Sequence, residues 1–599
     1  MADIEVPVLI VGGGGAGLAA SIFLWDFGVP SLLVERHRDT SILPKAHILN
    51  MRTMEILERH GIAEEIYRLG CPREQFAAMA WLTSLGGDGP FDRRILYRAS
   101  NYGGGELRPI YEEAGASPHG NLAQRWLEQL LRRRAEERNP RGMRFHHELV
   151  SFRQDANGVT SEILDRESGR SITVRSRYLI AADAGRTVGK TLGVEMVGNP
   201  ALLDRLNVYV RSDFSRFLPF DDVVVYRITG IGDDFQLRHC GLVAMGPTRW
   251  GRASEEWQIT IADPRSREPG GEADAETVAE AVRDNFKLPR DHPLEIVATS
   301  RWAIEGAVAD RFADGRIFLV GDAAHRHPPA GALGLNTGIQ DSHNLAWKLG
   351  SVLRGRAAPA LLASYESERR PVAEESVSRA LFSTMNHRVI AYGLGVVPGG
   401  KPEWNRAQLA ALFSQTPEGE MRRGVLAEFF RTSRITYAHL ETEMGYSYAG
   451  GGAVLDDGTP APARDSWGLD YVQTSRPGHR LPHAWLKRGG ERLSTHALLP
   501  IGGFLVLTGA DGAPWLEAAR NLSKRFDVPI SAHSIAPGGD LHAEGDAWAQ
   551  RRGIAEDGAI LVRPDGFVAL RSLGRSADPR AALERGLLAA LGHGAAFVA

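Results

Sequence analysis

A glycine-rich turn near the N-terminus constrains the fold of this chain more than any other feature. The apolar run Val6–Val11 leads into the turn, the apolar segment Leu18–Trp25 follows it, and Ser31–Val34 is a second apolar run. Strand, tight turn, helix and strand in this order predict a β-α-β unit of a parallel sheet. Glycines spaced as G-x-G-x-x-G permit a tight turn, close approach of a pyrophosphate and close packing of helix on strand. We therefore predict a dinucleotide site, at the start of the helix, formed by Gly12, Gly14, Gly15, Ala16 and Gly17.

FAD and NAD share this fingerprint, so the choice between them rests on a second signal, the carboxylate of Asp322. Glu35 ends the second strand, where it can accept hydrogen bonds from ribose hydroxyls, and Arg36 beside it is assigned to the same site. Asp322 follows the apolar run Ile317–Val320, and a carboxylate there can bind the ribityl hydroxyls of a flavin. An ordinary strand-end turn is the alternative for Asp322. The combination favours FAD.

A proline- and glycine-rich loop, Pro328–Asn336, follows Asp322 and leads into a helix. Its backbone N–H groups suit the anionic edge of a reduced isoalloxazine ring, because such groups carry partial positive charge. Simple loop closure is the alternative. Three helices are predicted after the loop: Ser342–Arg354, Ala360–Arg369 and Pro371–Asn386.

Composition excludes several classes of partner. The 599-residue chain has 70 Lys and Arg against 73 Asp and Glu, a formal net charge of −3, and therefore no general attraction to nucleic acid or anionic membranes. Cys71 and Cys240 lie far apart, and His325 and His327 have no third ligand at suitable spacing, so we expect neither a disulfide nor a metal site. No apolar run is long enough to span a bilayer, and acidic residues and glycines interrupt the apolar start. We expect a cytoplasmic protein.

Taken together, these motifs resemble the group A flavoprotein aromatic hydroxylases. The glycine turn, Tyr178–Asp183 and Gly321–Pro329 carry the general likeness. Ala46–Leu57 and Asn336–Lys348 are similar to the phenol, dichlorophenol and 2-hydroxybiphenyl hydroxylases. The likeness extends over almost the whole chain.

The resemblance implies an α/β fold with an insertion. We expect a Rossmann-like, glutathione-reductase-type FAD domain at 1–193 and 296–394, and an inserted antiparallel-sheet substrate domain at 194–295. Turn-bounded strand patterns within 194–295 predict that sheet independently. A linker with a helical segment at 395–470 leads to a thioredoxin-like domain at 471–599. That last domain contains no cysteine and cannot exchange thiols, so we expect it to provide packing or homo-oligomer contacts.

The resemblance also assigns roles around the flavin. Gln124 corresponds to a glutamine near the pyrophosphate, and Asp322 to the ribityl ligand. The remaining residues assigned to the cofactor are Asp183, Pro329, Gly334, Leu335 and Asn336. Two positions depart from the family pattern. Lys45 replaces an arginine at the pyrophosphate, where it can neutralise charge without a bidentate fork, and Ala184 interrupts the usual Asp-Gly order of the central motif.

Catalytic residues are predicted around one histidine. His47 matches a family histidine that faces the phenol hydroxyl, and it is our first choice as base because histidine titrates near neutral pH. A hydrogen-bonded histidine at a helix start is the alternative. Asn121 replaces an acid present in several family members, so the proton relay is expected to differ. Asn121, Tyr226 and Pro329 are further candidates for contact with the substrate, and Pro329 also for the reacting flavin.

The resemblance implies an FAD-dependent monooxygenase that hydroxylates a phenol- or hydroxypyridine-type ring, in aromatic degradation or secondary-metabolite tailoring. NADPH or NADH reduces FAD, O2 adds to form a flavin C4a-hydroperoxide, and the distal oxygen is transferred ortho to the hydroxyl; the cofactor carries this chemistry. A Baeyer–Villiger or epoxidising monooxygenase is the near alternative. A non-catalytic flavin-binding redox sensor is the alternative from another class. The sequence leaves the ring and the choice of nicotinamide open.

Overall fold

Buried apolar strands form a largely parallel sheet around the N-terminal strand. The structure, a computed structural model, describes residues 2–262, 274–387, 389–448 and 453–593. Ile4–Val11 pairs in parallel with strands on both sides, so the glycine turn leaves the middle of the sheet at its carboxyl edge. The main path of the sheet runs Ala313–Asp314, Ile317–Leu319, Ser171–Ala181, Ile4–Val11, Ser31–Glu35, Met143–Phe145. A hairpin of His147–Asp155 and Gly158–Asp165 extends it antiparallel from Ser171–Ala181.

Several helices cover this sheet, and one of them is buried between its neighbours. Gly15–Asp26 is apolar on nearly every side, and it packs between Gln124–Arg138 and Leu333–Leu353. A helix buried all round is expected to lack a polar face. The remaining helices of this part are Met51–Arg59, Ala63–Leu69, Arg108–Ala114, Val188–Leu192 and Ser364–Asn386.

A second sheet has eight strands and is mainly antiparallel. Its order is His325–Arg326, Glu295–Ala309, Met196–Arg211, Glu256–Ala262, Leu237–Gly246, Val223–Ile231, Ala78–Leu82, Ile95–Ser100. The last two strands come from 78–100, a segment that the sequence assigned to the FAD domain. The helix Ala275–Phe286 packs on the sheet, and the short pair Ile48–Leu49 and Gly120–Asn121 lies at the boundary between the two sheets.

The segment predicted as a linker at 395–470 contributes to the second core. Its helices are Pro402–Phe413, Pro417–Thr432 and Leu440–Met444, preceded by Val389–Gly393. Leu409, Leu426 and Phe430 are buried with residues of the eight-stranded sheet. The segment is therefore a wall of the second domain rather than a free connection.

The main sheet and the helices of the C-terminal unit follow the β-α-β-α-β-β-α order of a thioredoxin-like fold. Phe504–Thr508 pairs in parallel with Ile530–Ser534, and antiparallel with Ala559–Val562, which forms a hairpin with Val568–Ser572. Its helices are Ala513–Phe526, Ala547–Arg551 and Pro579–Ala590, and a small sheet joins Trp485–Arg488, Glu491–Ser494 and Leu541–Ala543. The fold class predicted from the sequence, including the thioredoxin-like tail, is confirmed.

The three helices predicted after the flavin loop are replaced by two. Leu333–Leu353 begins well before the predicted start, and Ser364–Asn386 runs through Pro371 without ending. Proline removes one backbone hydrogen bond from a helix. Glu368 and Arg369, three and two residues before the proline, form buried ion pairs with other elements, and these pairs hold the helix in place.

Candidate active site

The glycine turn has a backbone conformation that residues with a side chain cannot adopt. Gly12 has a φ of 113°, and a Cβ there would lie 2.3 Å from the carbonyl oxygen of Ala182. A Cβ at Gly17 would lie 2.0 Å from the carbonyl oxygen of Gly12. The backbones of strand and helix therefore approach each other too closely for any residue but glycine.

Donors at the start of this helix are available to an anion. Among the residues that the structure describes, the backbone N–H groups of Ala16 and Gly17 have no hydrogen-bond partner. Glu35 accepts hydrogen bonds from the N–H of Gly13 at 2.7 Å and from the N–H of His37 at 2.9 Å. Free N–H groups at a helix N-terminus bind phosphate. The turn therefore fits the pyrophosphate of FAD, and Glu35 lies at its rim.

Glu128 is a residue of this cradle that the sequence did not reveal. It accepts hydrogen bonds from the N–H of Gly15 at 3.2 Å, from the N–H of Ser41 at 3.2 Å and from the Gln124 amide at 2.7 Å. Burial raises its pKa, although the positive charge of Lys45 opposes that shift. Glu128 ties the loop after Glu35 to the glycine turn. Its spacing of four residues from Gln124 on one helix was the available signal.

The other predicted pyrophosphate residues lie around this loop. The N–H of Gln124 donates to the carbonyl of Ala46 at 2.7 Å, which fixes the chain beside exposed Lys45. Arg36 directly follows the strand that ends at Glu35. Asp183 differs, because its carboxylate accepts the N–H groups of Gly185, Thr187 and Val188 and so shapes a turn. Direct contacts of these residues with the cofactor stay predictions.

Asp322 and the following loop border the same helix. Asp322 is exposed and has no hydrogen bond or ion pair among the described residues, so its carboxylate is free to accept ribityl hydroxyls. Pro329 is also exposed, and the chain turns after it through Gly331 at a φ of 84°. Leu335 approaches the glycine turn closely enough that a Cβ at Gly15 would lie 2.7 Å from its Cδ1.

Asn336 joins this loop to the segment that carries His47. Its side chain accepts a hydrogen bond from the N–H of Asn50 at 2.9 Å and donates to the carbonyl of Ile48 at 3.0 Å. Gly334 lies where a Cβ would come within 3.3 Å of His327. The side chain of Asn336 thus fixes the loop Pro328–Asn336 relative to the segment that carries His47.

His47 and Asn121, which the sequence singled out separately, lie in contact. The His47 Nδ1 is 3.0 Å from the Asn121 Oδ1, and Ile48 pairs with Asn121 across two short strands. Burial lowers the pKa of His47 to about 4; the hydrogen bond that His47 donates to Asn121 opposes this shift, and the charge of Arg227 reinforces it. His47 is therefore a neutral imidazole at neutral pH.

Family models match both ends of this architecture. The FAD binding domain matches residues 5–380, and the C-terminal domain of aromatic-ring hydroxylases matches residues 474–593. The first match covers more than half of the chain. The chain belongs to the FAD-dependent aromatic-ring hydroxylases.

Known relatives of this hydroxylase resemble it over nearly their full length. It is 35% identical to the 2,4-dichlorophenol 6-monooxygenase of Delftia acidovorans, covering 97% of this chain and 98% of that protein. It is 37% identical to the tetracenomycin B2 monooxygenase-dioxygenase of Streptomyces olivaceus, and this match covers 98% of this chain and 99% of that protein. The flavin-dependent monooxygenase PieE, solved in complex with FAD and substrate, superposes with a TM-score of 0.89 at 37% identity, covering 99% and 100%. This hydroxylase is thus a flavoprotein monooxygenase with FAD as its cofactor.

The structure places Tyr226, a candidate for contact with the substrate, inside the second core. Tyr226 is fully buried in the second core, and its hydroxyl donates to the Phe220 carbonyl at 2.8 Å. Arg227 follows it on the same strand and therefore points to the opposite face. The charge of Arg227 acts on His47, His239 and Tyr102, so that face is the one toward the site.

Arg227 is the second functional residue that sequence reasoning missed. Within the described part of the chain it makes no hydrogen bond or ion pair, and its Nε is buried without a partner. Burial lowers its pKa, but a guanidinium stays protonated at neutral pH. The hydroxylase therefore carries an uncompensated cation beside the candidate base. The sequence around Arg227, a strand residue next to an aromatic one, gives no signal that the side chain lies without a partner beside the candidate base.

The histidines after Asp322 belong to a structural network. The His325 Nε2 lies 2.6 Å from the Asp341 Oδ2, and Arg369 donates to the other oxygen of Asp341 at 2.8 Å. His327 Nε2 is 3.0 Å from the Ser376 hydroxyl. Over the described ranges, no group of three or more His, Cys, Asp or Glu side chains is arranged to hold a metal ion. A search of the same ranges finds no helix long and apolar enough to cross a membrane.

Proposed function

We propose that this hydroxylase uses NADPH or NADH and O2 to hydroxylate a phenol- or hydroxypyridine-type ring next to its hydroxyl group. The observation that carries the proposal is the neutral imidazole of His47 in contact with Asn121, on which the positive charge of the half-buried Arg227 acts. A neutral imidazole can accept the proton of a phenol, and a nearby cation favours the phenolate that results. A phenolate is a more electron-rich ring than the phenol.

Each group has a distinct task in this proposal. FAD, when bound, supplies the activation of O2 and the oxygen that is transferred. Asp322 and the N–H groups of Ala16 and Gly17 would hold it. His47 accepts the hydroxyl proton, Asn121 orients the imidazole through its Oδ1, and Arg227 attracts the phenolate oxygen.

The names of the relatives limit the class of substrates to be tested. They include enzymes named for a dichlorophenol and for tetracenomycin B2. A monocyclic phenol and a polycyclic phenolic metabolite are therefore the two kinds of ring to test. We propose a role in aromatic degradation or in secondary-metabolite tailoring, and these two kinds of ring distinguish them. Cytoplasmic location and homo-oligomerisation through the C-terminal domain stay further predictions.

The test separates oxygen transfer from simple oxidase activity. A panel of phenols and hydroxypyridines is scored for NAD(P)H-driven O2 uptake and for product labelled from ¹⁸O2. His47→Ala is expected to lose hydroxylation by on the order of a hundredfold while it still oxidises NAD(P)H, because only base catalysis is removed. His542→Ala, an exposed histidine of the C-terminal unit, is the matched control.

The pH profile adds a check of the base. Because His47 has a pKa of about 4, hydroxylation should stay constant from neutral pH down to about pH 5 and fall as His47 becomes protonated near pH 4. Equal loss of hydroxylation and oxidase activity in His47→Ala would contradict its role. Oxygen inserted into a C–C bond would favour the Baeyer–Villiger alternative, and no NAD(P)H-driven O2 uptake would favour a redox sensor.

A further inference from the structure

One face of the eight-stranded sheet is polar and is turned toward the FAD domain. Along Glu256–Ala262, buried apolar residues alternate with half-buried Gln258 and Thr260. Because successive residues of a strand point to opposite faces, the apolar face forms the second core and the polar face lies on the other side of the sheet. Tyr209 pairs with Gln258 in the register and accepts a hydrogen bond from Arg125 at 2.7 Å. Arg125 belongs to a helix of the FAD domain, which therefore lies over the polar face.

A row of paired residues crosses this face, starting at Arg227. Arg227 pairs with Gly241, Gly241 pairs with Thr260, and Thr260 pairs with Asn207. Directly paired residues lie on the same face of a sheet, and the Thr260 hydroxyl donates to the Asn207 Oδ1 at 2.8 Å. Because neighbouring strands lie about 4.8 Å apart, the row is roughly 14 Å long. A single aromatic ring is too short to cover it.

The guanidinium of Arg227 reaches over the neighbouring strand of the row. A Cβ at Gly241 would lie 3.7 Å from the Arg227 Nη1 and 3.8 Å from the Thr260 Cβ. These are ordinary contact distances, so crowding by the described residues does not require a glycine there. A glycine inside a strand often marks a place that a ligand approaches closely. The planar guanidinium above Gly241 offers a flat floor on which an aromatic ring can stack.

Two further basic residues lie at the far end of the same face. His239 is two residues from Gly241 on its strand, and Arg205 is two residues from Asn207 on its strand, so both side chains point to the polar face. Solvent reaches both of them. Burial in the surrounding protein lowers the pKa of His239, and the charges of Arg205 and Arg227 add to that shift. His239 is therefore a neutral imidazole close to two cations.

The cations of this face have free hydrogen-bond donors. Among the described residues, Arg205 and Arg227 form no hydrogen bond or ion pair, and the Arg227 Nε and the Gln258 Oε1 are buried without partners. Glu256, an acid on the same face, already accepts hydrogen bonds from Arg211 at 3.3 Å. Arginine binds carboxylates through charge-assisted and often paired hydrogen bonds. The face therefore suits a ligand that brings its own carboxylate.

We propose that this face extends the substrate site and takes a phenol of at least two fused rings that carries a carboxylate at the end remote from the reacting hydroxyl. The proposal rests on the proposed function. The hydroxyl lies between His47 and Arg227, and the rings stack on the Arg227 guanidinium above Gly241. The carboxylate accepts hydrogen bonds from Arg205 and His239. This subsite positions the ring and makes or breaks no bond.

The first test compares ligands that differ in charge. Oxidised holoenzyme is titrated, without NAD(P)H, with 6-hydroxy-2-naphthoate and with its methyl ester, and the change in flavin absorbance gives each Kd. We expect the naphthoate to have a Kd on the order of tenfold below that of the ester, because charge strengthens its hydrogen bonds with arginine. 4-Hydroxybenzoate should show no such gain over its own methyl ester, because one ring does not extend from His47 to Arg205.

Variants of Arg205 separate recognition of the carboxylate from a structural role. Arg205→Met is expected to raise the Kd of the naphthoate by on the order of tenfold and to leave that of the ester unchanged, because only a charged donor is lost. Arg205→Lys keeps the charge and should lose less affinity, whereas Arg205→Glu should lose more than Arg205→Met. Arg153→Met replaces an exposed arginine on a strand of the first sheet and is the matched control.

The outcomes distinguish the subsite from the proposed function. Equal Kd values of naphthoate and ester in the wild type, or equal changes for both ligands in Arg205→Met, would overturn the subsite. A gain for 4-hydroxybenzoate as large as that for the naphthoate would overturn the fused-ring class. In each of these cases, hydroxylation of any phenol of the panel by the wild type still supports the proposed function. If the wild type hydroxylates none of them, both proposals fail.

Discussion

Arg227 is an unusual side chain, because a buried cation ordinarily has a carboxylate partner. The charge of Arg227 acts on Tyr102 and on three histidines, His47, His239 and His387, and burial lowers the pKa of each histidine. These histidines are neutral at neutral pH and supply no counter-charge.

Replacing Arg227 should weaken binding of the ionised substrate. A hydrogen bond to a charged group contributes about 1.5–3 kcal/mol, so Arg227→Met is expected to raise the Kd of a phenolate by roughly ten- to a hundredfold. The apparent pKa of the bound phenol should also rise, because the cation that favours its charged form is gone. Titration of flavin fluorescence with 2,4-dichlorophenol at several pH values measures both.

The control for Arg227 keeps its charge. Arg227→Lys should retain most of the affinity, whereas a purely steric role for the side chain would make Lys and Met equally poor. Affinity of Arg227→Met for phenolate equal to that of the wild type would contradict the assignment.

At this scale the sequence predicted some partners and missed others. His47 and Asn121 were found because they lie in motifs shared with known hydroxylases, and Asp322 because it follows a strand. Arg227 was missed because its importance depends on its position relative to His47, which is more than a hundred residues away along the chain. Local spacing carries no information about such contacts.

The β-α-β unit at the N-terminus was predictable as an element, since its glycines are required by backbone contact. A Cβ at Gly17 would lie 2.0 Å from the Gly12 carbonyl oxygen, which cannot move without displacing the strand. Gly17→Ala should therefore separate helix from strand and remove the pyrophosphate donors. We expect the variant to purify without FAD, as read from the ratio of flavin to protein absorbance.

Gly424→Ala is the matched control for Gly17→Ala. Gly424 lies within the helix Pro417–Thr432, and a Cβ there would meet no atom within 4 Å. Alanine is preferred to glycine inside a helix by about 1 kcal/mol. Gly424→Ala should therefore keep its full FAD content. If Gly17→Ala also kept its full FAD content, the strand and helix could separate without loss of the FAD site, and the prediction would be wrong.

The helix Ser364–Asn386 shows why other elements were predicted less well. A proline within it predicted a break, but the residues before the proline are buried and paired with other elements. Contacts between elements therefore decided the outcome over local propensity.

Across the whole molecule, the order of strands in the sheets was out of reach of the sequence. The eight-stranded sheet combines strands from 78–100 with strands from 196–326, and the supposed linker closes its core. Only pairing between distant segments reveals this arrangement. The C-terminal unit is likewise joined to the FAD domain by buried charges that no local pattern marks.

Glu368 is the centre of that junction. It accepts hydrogen bonds from Lys348 at 2.7 Å and from Arg563 at 2.6 and 2.8 Å. Lys348 and Glu368 lie on helices of the FAD domain, whereas Arg563 lies on the hairpin turn of the C-terminal unit. All three side chains are fully buried, and Asp565, which also pairs with Arg563, supplies the second carboxylate that balances the two cations.

Neutralising Glu368 should loosen the C-terminal unit from the rest of the molecule. Glu368→Gln leaves two buried cations with one fewer anion, and removal of one partner from such a pair costs about 3–5 kcal/mol. We expect a lower Tm and faster proteolytic cleavage between the FAD domain and the C-terminal unit. Glu374→Gln on the same helix removes only an exposed pair with Arg370 and should leave both nearly unchanged. An unaltered Tm in Glu368→Gln would mean that apolar contacts alone hold the C-terminal unit in place.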